Sequence, residues 1–121
     1  MSTLIEYFKL RDGRDPLAAL ELLDEDVVYH LMPAKGYEMS GRSRQALEEH
    51  LTEFAEPAPK HSVVGHATAG AFEFVIGHRV TDGQVVGTFI AAASTSSTGK
   101  LSRYLGSYFE GTLAAPEADA Q

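Results

Sequence analysis

An α+β fold, with helices gathered at the start of the chain and a curved, mainly antiparallel sheet formed by the rest, is predicted by three observations. Apolar residues recur at helical spacing up to about residue 55, and from His61 onward that spacing gives way to strand-like alternation. Turn signals at Gly70, Thr81-Asp82-Gly83 and Thr98-Gly99 cut the second half into long segments. At 121 residues the chain has the length of one domain and buries roughly two thirds of its unfolded surface, enough for a core without cross-links. Segregated helices and strands pack as layers, with the helices on one face of the sheet.

Each element has a local cause. Leu4, Ile5 and Phe8 give a first helix, which Asp12-Gly13 breaks. A second helix restarts at once, with Asp15 as N-cap, Pro16 at the first helical position and Leu17, Leu20 and Leu23 as its apolar stripe. Asp24, Glu25 and Asp26 oppose the negative end of a helix dipole and mark the exit. VVYHLM then reads as a strand, Lys35-Gly36 as a turn, and Tyr37 to Met39 as a short second strand. A third helix, from about Arg44 to Ala55, takes Ser43 as its cap and buries Leu47, Leu51 and Phe54. EPAP at 56–59 ends it, because proline has no N–H and disfavours helix in the residue before it. Four long strands follow: HSVVGHATAGA, AFEFVIGHRV, QVVGTFIAAASTSS and KLSRYLGSYFEG. The domain spans 1–113, and AAPEADAQ at 114–121, with nothing to bury, reads as a disordered tail.

Ten basic and seventeen acidic side chains give a net charge of −7, which repels phosphate backbones and anionic lipid at long range. Neither nucleic acid nor a membrane surface is an expected partner. The absence of cysteine fits a reducing compartment, and MSTLIEYFKLRDGRD lacks the pattern of a signal peptide, so a cytoplasmic location is expected.

DEDVVYH, GRSRQAL, TDGQVVGTF and GKLSRYLGSYF, in this order and spacing, resemble the SnoaL-like branch of the nuclear transport factor 2-like superfamily. The resemblance covers roughly residues 4 to 111. It implies a cone-shaped sheet covered by three N-terminal helices, a pocket between them, and often a homodimer through the outer sheet face. Relatives include polyketide cyclases, ketosteroid isomerases, epoxide hydrolases, binding proteins and scaffolds, so chemistry has to be argued from the site. The isomerase base is missing, since Leu31 and Met32 stand where the carboxylate of that subgroup falls and Gln84 to Ser97 holds no acid. The Asp-Arg-Asp set of the epoxide hydrolases is missing too, with Glu73 the sole acid inside a core strand.

Histidine is then the expected proton carrier, because its pKa lies near working pH. In AFEFVIGHRV, Phe72, Phe74, Ile76, His78 and Val80 share an apolar face, while Glu73, Val75, Gly77 and Arg79 share the other. The apolar face is expected inside, which puts His78 at the site with Phe74 beside it and leaves Glu73 and Arg79 to an interface or to solvent. In the first strand, Val28, His30 and Met32 oppose Val27, Tyr29 and Leu31. Both faces are apolar and the alternation does not orient the strand. The family's histidine at this position implies His30 as the second catalytic candidate, the alternative being a core histidine donating to a backbone carbonyl. Tyr29, Met32, Tyr37, Phe54 and Phe74 are candidate lining residues. Tyr104 and Tyr108, on one face of the last strand, offer phenol donors to a ligand carbonyl or simply pack in the core.

His61 and His66 fall on opposite faces of a straight strand, and no histidine set has zinc spacing. No metal and no cofactor are expected. Two function classes follow: an isomerase- or cyclase-type enzyme acting on an apolar, oxygen-bearing small molecule of polyketide, steroid or terpenoid kind, and a non-catalytic small-ligand-binding protein. A dimeric scaffold is a third, favoured if no cavity exceeds roughly 300 Å³.

Overall fold

The structure, a computed structural model, describes residues 2–34, 37–52 and 59–111, and of Pro33, Ala34 and Tyr37 the backbone alone. Helix α1 (Thr3–Arg11) begins at Ser2, whose Oγ accepts from the Ile5 N–H at 3.0 Å. The Glu73 carboxylate adds a second cap, accepting from the Leu4 N–H at 3.2 Å and the Ser2 hydroxyl at 2.6 Å. An acid suits this positive end of the helix. Leu4, Tyr7 and Phe8 form the buried stripe.

The expected second helix is a 3₁₀ helix, Pro16–Leu22, and the Asp15 side chain makes no capping bond. Asp15 instead accepts through its carbonyl from the Ala18 N–H at 3.0 Å, the three-residue step of the tighter helix. Strand β1 (Leu23–Ala34) starts directly after it, so Asp24 to Asp26 lie at the irregular opening of a strand rather than at a helix end. β2 (Tyr37–Gly41) pairs back on β1. Helix α2 (Arg44–Thr52) is capped as expected by Ser43, whose Oγ accepts from the Ala46 N–H at 3.0 Å. The remainder of the expected third helix, with Phe54, lies outside the described residues.

β3 (Lys60–Ala69), β4 (Phe72–Thr81), β5 (Gln84–Thr95) and β6 (Leu101–Phe109) match the four expected strands. Asp82 and Gly83 take φ of 52° and 78°, the two positive angles of a tight hairpin turn, which makes this Asp-Gly pair the fixed corner of β4–β5. The six strands run in the order β2-β1-β6-β5-β4-β3, and β1 lies parallel to β6 while every other pair is antiparallel. The sheet is therefore mixed. α1 packs on β3, β4 and β5, and α2 on β1 and β2, so one face is covered by helices and the other is open.

The faces of β4 are the reverse of the sequence expectation. Glu73 (8% exposed), Val75, Gly77 and Arg79 lie under the helices, whereas Phe72, Phe74, Ile76, His78 and Val80 belong to the open face, with Phe74 44% exposed. The open face is itself apolar, so hydrophobicity does not distinguish it from the face the helices cover. β3 also departs from simple alternation. Val63 pairs with Gly77 and Gly65 with Ile76, which makes Val64 an extra residue, a bulge. His61 and His66, expected on opposite faces, consequently share the helix-covered one, opposite Arg79 and Val75.

Candidate functional site

A cavity of about 100 Å³ lies between α1 and the sheet. Small residues make room for it: Gly106 pairs with Ala91 across β5–β6, and both line the hollow. Gly77 serves the same end, because a Cβ there would sit 2.8 Å from the Phe89 ring, so the ring can lie across β4 only while residue 77 has no side chain. Phe8 and Phe89, with centroids 5.1 Å apart, form an apolar wall.

His61 stands in that wall. Its ring centroid is 4.6 Å from Phe8 and 4.8 Å from Phe89, and its Nδ1 lies 3.0 Å from Asp12 Oδ1. The other carboxylate oxygen, Asp12 Oδ2, accepts from the His61 backbone N–H at 2.6 Å. Asp12 is the C-cap residue of α1, at the negative end of the helix dipole, where an acid is disfavoured. Its contacts with β3 offset that placement: the two His61 donors meet the carboxylate, and Lys60 Nζ bonds the Asp12 carbonyl at 3.1 Å.

The tyrosines line the same space. Tyr7 and Tyr104 cross nearly edge to face, with ring centroids 5.0 Å apart. Burial pushes the Tyr104 hydroxyl well above the ordinary phenol range, with the Tyr7 neighbour adding to the rise, and burial pushes Tyr7 up as well. Arg11 attracts charge on both and acts in the opposite sense. Both phenols are thus neutral donors near neutral pH. The Arg79 guanidinium sits 3.9 Å from the centroid of the Tyr108 ring, and burial lowers its pKa. Tyr108 donates to the Val86 carbonyl at 3.0 Å.

Of the residues expected at the site, Tyr104, Tyr108 and Met32 border the cavity, although Met32 alternates with Leu31 on the same side of β1 as His30 and stays 41% exposed. His78 and Phe74 do not. They lie on the open face, and the buried His78 Nε2 has no hydrogen-bond partner among the described residues. His30 also belongs to the open face, exposed and 3.5 Å from Glu38. Tyr29 is buried on the helix side but away from the cavity, its hydroxyl 2.6 Å from His50 Nδ1. The Tyr37 side chain and Phe54 lie outside the described residues. Asp12, His61 and Arg79 are expected elsewhere, as a helix breaker, as half of an excluded metal pair and as an interface or solvated residue, and nothing in the sequence singles out Arg11. A signal for Arg79 exists, since an apolar strand that sets Glu73, Gly77 and Arg79 on one face marks that face as the one with chemistry or packing to accommodate. Among the described residues no three His, Asp or Glu side chains are grouped as a metal site needs, and no helix is long and apolar enough to cross a membrane.

No protein-family model matches the sequence, and no curated protein does. Solved structures do resemble it. A candidate isomerase of the SnoaL-like family from Agrobacterium tumefaciens superposes with a TM-score of 0.65 at 17% identity, over 89% of this chain and 98% of that one. A nuclear transport factor 2-like protein of unknown function from Burkholderia pseudomallei gives 0.71 at 16% identity, over 88% and 90%. A candidate polyketide cyclase from Sinorhizobium meliloti gives 0.66 at 16% identity, over 86% and 92%. With this strand order and this placement of helices, the chain has the fold of the SnoaL-like, nuclear transport factor 2-like superfamily.

Proposed function

We propose that the protein is a cofactor-independent enzyme of isomerase or cyclase type that moves a proton on an apolar, oxygen-bearing small molecule, with His61 as the acid–base group. The observation that carries this reading is the Asp12–His61 contact at 3.0 Å beside the cavity. A carboxylate only accepts, so Nδ1 holds the proton and Nε2 is the basic nitrogen. His61 Nε2 takes a proton next to a carbonyl and returns it elsewhere on the same molecule, while the neutral Tyr7–Tyr104 pair meets the negative charge that develops on oxygen. The fold's likeness to a candidate isomerase and a candidate polyketide cyclase agrees with this class of reaction.

The volume narrows the substrate. A cavity of about 150 Å³ holds benzene, so about 100 Å³ suits a small ring or the reacting end of a longer molecule. A four-ring steroid is too large to be enclosed. Proton–deuterium exchange followed by NMR tests the reading without knowledge of the product. A panel of small enolisable ketones is expected to exchange faster with the protein, and His61→Gln to lower that rate by about 10²–10⁴. Exchange unaffected by His61→Gln removes the mechanism.

The same volume favours a second reading, a dimeric scaffold, since ligand pockets usually exceed roughly 300 Å³. In either reading we propose a homodimer through the open sheet face. Phe72, Phe74, Ile90, Leu105 and Phe109 are each 44–54% exposed there, and Leu105, Ala92 and Phe74 stand in register on three adjacent strands. Contiguous apolar surface of this kind marks an interface.

A further inference from the structure

We infer that Glu73 is a positioning residue of the cavity: its carboxylate holds the first turn of α1 and so sets where Tyr7 stands against Tyr104. This rests on the reading of the cavity as a proton-transfer site, in which those two phenols meet the developing charge. Glu73 itself does not line the hollow. It acts through a row of residues. Glu73, Ala93 and Tyr104 stand in register on β4, β5 and β6, on the face that α1 covers. At one end of the row the Glu73 carboxylate accepts from the Leu4 N–H at 3.2 Å and from the Ser2 hydroxyl at 2.6 Å. At the other end Tyr7 crosses Tyr104, with ring centroids 5.0 Å apart. Leu4 and Tyr7 are neighbours on one face of the helix, a turn apart, and both are buried. The row therefore grips α1 on consecutive turns, and a helix released at Leu4 carries the Tyr7 hydroxyl with it.

Helix capping alone does not account for an acid at this place. Ser2 already caps α1, its Oγ accepting from the Ile5 N–H at 3.0 Å, as serine does at many helix starts. A carboxylate only 8% exposed costs solvation that its partners have to offset. Those partners come from two further elements: the two donors of α1, and His66 on β3, whose Nε2 lies 3.6 Å from Glu73 Oε2. Asp12 makes the matching arrangement with His61 of β3 at the far end of α1. The helix that brings Tyr7, Phe8 and Arg11 to the cavity is thus fixed at each end by one carboxylate.

Ketone proton exchange by the folded full chain tests this, with Glu73→Ala to remove the grip and Glu73→Gln as the conservative rescue that keeps an oxygen for the Leu4 N–H. Glu73→Ala is expected to lower the saturated exchange rate about 10–10²-fold, while the ketone concentration at half rate stays within about twofold. Glu73→Gln is expected to recover most of the loss. Tyrosinate absorbance against pH gives a second readout that needs no turnover. In Glu73→Ala, under conditions where circular dichroism shows an intact fold, the buried phenols are expected to ionise nearer to about pH 10 than in the parent. Where Glu73→Ala does not fold, Ser2→Ala, at the partly exposed start of α1, removes one of the two donors and is expected to move both readouts the same way, to a smaller extent. A cap that only adds stability leaves both readouts unchanged in the folded protein, so a parent-like rate or a parent-like phenol titration in the folded variant overturns the inference. Glu73→Gln as slow as Glu73→Ala overturns it too. Exchange lost in His61→Gln and native in Glu73→Ala sinks only this inference. No exchange by the parent, with a phenol titration that still moves in Glu73→Ala, sinks only the acid–base mechanism.

Discussion

Asp12 holds His61 twice, once through the ring Nδ1 at 3.0 Å and once through the backbone N–H at 2.6 Å. One carboxylate therefore fixes both the direction of the imidazole and the start of β3 against the end of α1. Asp12→Ala is expected to lower the unfolding free energy by about 1–3 kcal/mol, the range for leaving such donors without their charged acceptor. Asp12→Asn keeps an oxygen for the N–H and is expected to lose less. Urea unfolding of the two variants decides the matter, and equal losses would deny the carboxylate this double duty.

Tyr104 and Tyr7 make stability depend on alkaline pH. Unfolded phenols release their protons at about pH 10, whereas burial keeps these two protonated to higher pH in the fold. Above pH 10 the unfolded chain binds fewer protons than the native one, so stability is full below that point and falls as pH rises towards the folded values. The slope is at most about 1.4 kcal/mol per pH unit for each phenol. Tyr104→Phe is expected to flatten the fall in denaturation midpoint between pH 9 and 11 relative to the parent protein. An unchanged slope would mean that Tyr104 is not held protonated by burial.

Gly77 is the point at which a single carbon disturbs the wall. The added Cβ of Gly77→Ala meets the Ser62 carbonyl and lies 2.8 Å from Phe89, so backbone and ring both have to move. Overpacking of this kind costs about 1–3 kcal/mol. Loss of the ketone response is expected alongside, because Phe89 flanks His61 at 4.8 Å. A variant with native stability and native ligand response contradicts that close packing.

The open face supplies the fourth prediction. Sedimentation of the parent protein is expected to show a dimer, and Phe74→Glu with Leu105→Glu a monomer. In an isolated chain these exposed positions tolerate substitution to within about 0.5 kcal/mol, so unfolding of the monomer should be little changed. A parent protein that sediments as a monomer at every concentration ends the proposal.

These positions also explain how far the sequence could be read. The four late strands, the Asp82-Gly83 corner and the Ser43 cap were legible because each depends on local chemistry: alternation, φ preference, a hydroxyl before a helix. The site was not, because which face of β4 meets the helices is a tertiary fact. Phe72 and Phe74 look like core residues in sequence and stand on the open face, while Glu73 looks like a surface residue and caps α1 from 8% exposure. Asp12 was read only as a helix breaker, since its partner His61 is 49 residues away. The side on which His61 lies was not legible either, because strict alternation takes no account of the bulge at Val64.

The bulge in β3 has an evolutionary side. Val64, the unmatched residue of β3, is exposed and does not line the cavity, yet the direction of His61 depends on its presence. Deleting it would restore strict alternation and swing the imidazole to the opposite side, away from Asp12, with His61 and Asp12 both still encoded. A lineage could turn this histidine towards or away from the cavity by one codon's insertion or loss, and homologues matched by residue spacing alone would then pair the wrong histidines.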